Sequence, residues 1–135
     1  MIFKERHDEQ IEAIINAAKA VHAELGHGFL EPVYQEALER EFKLQAIPHS
    51  RKQGLPIFYR GAALDTVYPA DFICYAEIIV ELEVLKILSV NEESQIMSRM
   101  KAARLEKGLL LNFGGPRFEY KRFVYSRPKP NPQVS

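Results

Sequence analysis

Two carboxylates stand inside the most apolar run of the chain, Ile78-Ile79-Val80-Glu81-Leu82-Glu83-Val84-Leu85. A strand sends successive side chains to opposite faces, so Glu81 and Glu83 share one face with Ile79 and Leu85. The other face, Ile78, Val80, Leu82 and Val84, carries no polar side-chain atom. Two acids on one face lie ~7 Å apart by the rise of a strand. Burying them unpaired costs several kcal/mol each, so a metal ion, a basic side chain or both must answer them. Asp71 is a third acid in an apolar setting, Ala70-Asp71-Phe72-Ile73. With a hairpin assumed to turn around Ala76-Glu77, Asp71 faces Leu82 and its neighbours Glu81 and Glu83. Carboxylates converging from adjacent strands are the oxygen donors that hold a divalent ion such as Mg²⁺. The competing reading, inward-pointing charges that protect an edge strand from aggregation, suits apolar flanks on both sides less well.

The elements that must position these acids follow from periodicity. Ile11, Ile14, Ile15, Ala18, Val21 and Leu25 recur at helical spacing and predict a helix over residues 8–25, stopped by Gly26-His27-Gly28. Leu30, Tyr34, Ala37, Leu38 and Phe42 mark a second helix that ends before Pro48. Leu55 to Tyr59 and Tyr68 to Tyr75 read as strands with Gly61 at the turn, and the acid-bearing strand follows. Ser89 with Glu92 three residues on is a capping box, opening a helix through Ile96, Met100, Ala103 and Leu105. Gly108 closes that helix. Gly108 to Phe113 reads as a central strand, Gly114-Gly115-Pro116 as a turn, and Phe118 to Tyr125 as an edge strand. The order is helix, helix, three strands, helix, strand, strand: an α/β domain over residues 1–126 with a three-strand meander and a crossover helix. The Pro-rich segment 127–135 is expected to be mobile.

Composition narrows the function classes. The 135 residues suit one domain, and 18 basic residues against 18 acidic ones leave no net charge. A nucleic-acid-binding domain usually shows a basic excess, so any basic surface here must arise by local segregation. Lys101, Arg104 and Lys107 form one such face, and Arg117, Lys121 and Arg122 lie near the last turn and strand; these are the positions to test for phosphate contact, with ordinary solvated surface as the alternative. The single cysteine, Cys74, allows no intramolecular disulfide and no thiolate cluster. With no apolar run long enough for a membrane span and no signal-peptide pattern at the start, a cytoplasmic setting is expected. His22, His27 and His49 lack ligand spacing and read as structural or surface groups.

An aspartate on one strand, a glutamate-bearing strand next and then a helix resemble the PD-(D/E)XK nuclease superfamily. Gly28-Phe29-Leu30-Glu31-Pro32-Val33-Tyr34 is similar to the signature of one bacterial and archaeal branch, the GxxExxY proteins. The similarity extends from about Ile14 to Tyr125 and includes Gln95 and the strand end Leu110-Leu111-Asn112-Phe113-Gly114. The resemblance implies a restriction-endonuclease-like mixed sheet and metal-dependent hydrolysis of nucleic-acid phosphodiesters, DNA ahead of RNA. Asp71 and Glu81 would be the main Mg²⁺ (or Mn²⁺) ligands, Glu31 an additional acid aimed at the metal, and Gln95 a support from the later helix. Tyr34 reads as a core residue rather than a catalyst. Glu31 in the first turn of its helix also has a plain helix-dipole explanation.

The chain departs from the family where its lysine, two residues after the second acid, would stand. Glu83 is there. Glutamate can accept a proton from water but supplies no positive charge; of the nearby lysines, Lys101 is a better replacement than Lys86. A catalytically silent relative that binds nucleic acid or a protein partner is the alternative function, and a hydrolase for a small phosphorylated substrate is a third. Dimerisation would let so small a chain span a duplex.

Overall fold

The structure is a computed structural model that describes residues 8–126. The Pro-rich segment 127–135 lies outside the described residues. Helix α1, Glu9–Leu25, is capped by Asp8, whose carboxylate accepts the amides of Gln10 and Ile11, and it buries Ile11, Ile14, Ile15, Ala18 and Val21. The chain reverses through Gly26 and Gly28, at φ +68° and +124°, conformations that glycine adopts without a Cβ clash. Helix α2, Glu31–Leu44, then packs back with Tyr34, Leu38 and Phe42 buried.

Seven strands follow: β1 His49–Arg51, β2 Gly54–Tyr59, β3 Ala62–Pro69, β4 Phe72–Cys74, β5 Ile78–Glu83, β6 Lys107–Asn112 and β7 Glu119–Val124, with helix α3, Val90–Ala103, between β5 and β6. Five of them make one mixed sheet, ordered β1-β4-β5-β6-β7, and β2 and β3 form a separate hairpin. The expected meander is thus divided. What reads in sequence as one strand, Tyr68 to Tyr75, bends at Ala70-Asp71 and passes from the hairpin into the main sheet. β5 and β6 are parallel, as a crossover through α3 requires. β6 is interior and β7 an edge, as expected.

The two faces of the sheet have separate cores. Phe72, Ile78, Val80, Leu82, Leu109 and Leu111 pack against α1 and α2. Ile73, Ile79 and Leu110 pack against Ile96 and Met100 of α3 and Leu55 of the hairpin. The alternation of β5 therefore does what its sequence dictates: the apolar face meets α1 and α2, and the face of Glu81 meets α3 and the hairpin. The capping box of α3 is present, with Ser89 and Glu92 bonded reciprocally. Among the described residues no helix is long and apolar enough to cross a membrane.

Candidate active site

Asp71 occupies the bend between the hairpin and the main sheet. β4 and β5 pair with Phe72 opposite Val80, so continuing the register sets Asp71 across from Glu81, one residue from the expected Leu82. The backbone ties the two acids together. Asp71 Oδ2 accepts the Leu82 amide at 2.9 Å, and the Asp71 amide points at Glu81 Oε2 at 3.4 Å. Both side chains are nearly sealed from solvent, Asp71 at 10 % and Glu81 at 3 % exposure. Burial, with the charge of Asp71 added to it, pushes the Glu81 carboxyl up to about 8. Its Oε1 is buried with no hydrogen-bond partner.

Glu83 follows at the carboxyl end of β5, half-buried. Burial and then the charges of Glu31, Glu92 and Asp71 raise its carboxyl to about 6. The acids thus gather near the carboxyl end of a parallel strand pair, the end at which open α/β sheets bind ligands. Asn112, opposite Glu83 on β6, holds the chain just beyond this point. Its Nδ2 donates to Leu85 O and Glu119 Oε1, and its Oδ1 accepts from Leu85 N and Gly114 N, all at 2.9–3.1 Å.

Residues that were not singled out in the sequence complete the site. Gln35 Nε2 donates both to Glu31 Oε1 at 3.0 Å and to Asp71 Oδ1 at 3.2 Å, joining α2 to the bend. Its signal was its spacing, one helical turn beyond Glu31. Lys52, from the β1–β2 connection, places Nζ 2.7 Å from Asp71 Oδ1. Arg99 of α3 lies 3.8 Å from Glu81 Oε1, too far for a hydrogen bond, with its guanidinium 4.5 Å from the centre of the Tyr68 ring. Burial, then the negative charge of Glu81, pushes the Tyr68 phenol well up.

The remaining predicted residues fall into place differently. Glu31 is the first residue of α2 and reaches Asp71 through Gln35 rather than joining a three-carboxylate group; among the described residues no group of three or more acid, histidine or cysteine side chains is poised to hold a metal. Tyr34 is a pin. Fully buried, it stacks on Phe113 and donates to the Gly26 carbonyl at 2.7 Å, fixing the α1–α2 reversal. Gln95 is exposed on α3, one turn before Arg99. Lys101 does not supply the missing charge, because its ammonium lies over the Tyr125 ring near the far end of α3. Arg104, beside it, covers Phe58, and Lys121 pairs with Glu93. Arg117 is exposed on the β6–β7 turn. His22 and His49 are structural, each bonding a backbone carbonyl, and His27 is exposed.

An oxygen-liganded ion fits this donor set. A buried carboxylate oxygen without a partner, Glu81 Oε1, stands beside Asp71, and a hydrated Mg²⁺ is commonly held by one or two carboxylates with water completing its shell.

Comparison with known proteins agrees with this architecture. The crystal structure of SSO0001 superposes with a TM-score of 0.57 at 18 % identity, over 89 % of this chain and 59 % of that one. The likeness is one of fold, and this chain spans about three fifths of that chain's length. No curated protein matches. A family model for the PD-(D/E)XK nuclease superfamily matches residues 8–123, almost the whole described domain, and the chain belongs to that superfamily.

Proposed function

We propose that this protein is a metal-dependent nuclease of the GxxExxY branch, hydrolysing nucleic-acid phosphodiesters with Asp71 and Glu81 as the ligands of Mg²⁺ or Mn²⁺. The observation that carries the reading is Glu81 Oε1, buried beside Asp71 without a hydrogen bond and with the Arg99 guanidinium no closer than 3.8 Å. A carboxylate oxygen in that position is costly unless a cation completes it. Gly28, Glu31 and Tyr34 support the branch assignment: the glycine and tyrosine shape the reversal, and the acid connects to Asp71 through Gln35. On binding, the ion would supply polarisation of the scissile phosphate and a lowered pKa for the attacking water. Gln35 keeps Asp71 oriented, Arg99 and Tyr68 cover Glu81, and Glu83 offers a half-exposed carboxylate that can take a proton from water. DNA is favoured over RNA as substrate.

One observation favours a silent scaffold that binds nucleic acid or a protein partner instead: glutamate, not lysine, follows Glu81 by two residues. Assays of duplex and single-stranded DNA and of RNA, with Mg²⁺ and Mn²⁺, separate the readings. Cleavage that falls by ~100-fold or more in Asp71→Ala and Glu81→Ala supports the nuclease. Metal-independent binding without cleavage supports the scaffold.

A further inference from the structure

We infer that Lys52 is the functional lysine of this site, replacing from the β1–β2 connection the positive charge that Glu83 cannot supply. The inference rests on the nuclease reading. Several independent features of Lys52 point the same way. Its Nζ lies 2.7 Å from Asp71 Oδ1, so its charge already sits among the acids. Its backbone is fastened there, since the Lys52 amide donates to Asp71 O at 3.1 Å and the Ala70 amide to Gln53 O at 3.2 Å. Lys52 also holds φ +56°, a left-handed conformation in which glycine or asparagine would be more comfortable. Ala46, Arg60, Tyr75, Ala76 and Arg104 share this conformation, so what sets Lys52 apart is its ammonium, aimed at a buried acid.

Lys52 is also a cation that a phosphate can reach. Its side chain is 48 % exposed while its partner Asp71 is 10 % exposed, so the ammonium stands at the mouth of the site with solvent on one side. Arg99 instead lies over Tyr68. Other lysines are committed elsewhere: Lys107 to Asp8 and Glu77, Lys121 to Glu93, and Lys101 to the Tyr125 ring. Lysine is a point charge on a flexible stem. Without metal, Lys52 serves as the counter-ion of Asp71. With metal on the acids and nucleic acid in the site, it contacts the scissile phosphate.

The test compares wild type, Lys52→Met, Glu83→Lys and the double variant, first confirming folding by circular dichroism. Mn²⁺ titration by calorimetry is one readout and cleavage of DNA and RNA with Mn²⁺ the other. Lys52→Met is expected to bind Mn²⁺ several-fold more tightly, because a competing cation is gone, yet to cleave ~100-fold more slowly. Glu83→Lys in the Lys52→Met background is expected to restore cleavage. Unchanged cleavage or weakened Mn²⁺ binding in folded Lys52→Met overturns the inference and leaves the nuclease reading standing. A silent wild type that gains activity through Glu83→Lys alone overturns the inference and replaces the nuclease reading with that of a silenced scaffold. If no variant cleaves, both fall.

Discussion

Glu81 is held in a conflict that the protein alone does not resolve. Burial and Asp71 push its carboxyl up to about 8 and burial raises Glu83 to about 6, both above the ordinary 4.5. The folded protein therefore keeps protons that the unfolded chain would release between those values. The stability that these two carboxyls contribute to the metal-free protein is full below the ordinary carboxylate range and is lost as pH rises through about 8. Thermal denaturation with a chelator present should show the midpoint falling across this window, and Glu81→Gln should flatten most of the fall and raise the alkaline midpoint. A wild-type midpoint that rises with pH would contradict the assignment. Asp71 and Glu81 stood out in the sequence because an acid within an apolar run is locally conspicuous, whereas Glu31 was singled out through the family resemblance, its helix-start position having a plain dipole explanation. Lys52, Gln35 and Arg99 were not. Each is an ordinary polar residue in an ordinary place, and only long-range folding brings it to the acids.

At the scale of elements, the segment after Glu83 depends on Asn112. This one buried side chain serves both the amide and the carbonyl of Leu85, and Gly114 lies so close that a Cβ there would meet Leu85 backbone at 2.3 Å. Asn112→Ala should cost roughly 2–4 kcal/mol in chemical denaturation, since buried backbone groups lose their partners. It should also weaken Mn²⁺ binding by loosening the end of β5. A loss under about 0.5 kcal/mol would show that the clamp is dispensable. The helices and the acid strand were readable because periods of 3.6 and 2 are local properties. The break at Ala70-Asp71 was not, because Tyr68 to Tyr75 is a continuous strand-like run. What bends it is bonding to Lys52 and Gln53, nearly twenty residues earlier in the chain. β1 escaped notice for a related reason: His49-Ser50-Arg51 is short and polar, without alternation.

For the molecule as a whole, 18 basic residues balance 18 acidic ones, so no net charge draws a polyanion and any attraction must arise locally at the acid site. The fold sets Asp71, in the bend before β4, beside Glu81 of β5, with α3 and the hairpin covering the glutamate and α2 bracing the aspartate. Cation binding is the property on which the nuclease reading of this site depends, so calorimetric titration of Mn²⁺ and Mg²⁺ into wild type and Asp71→Ala is the most direct test. Saturable binding to the folded wild type, lost in the variant, is the expected result. Equal binding by both proteins, or none by the wild type in the presence or absence of nucleic acid, would contradict it.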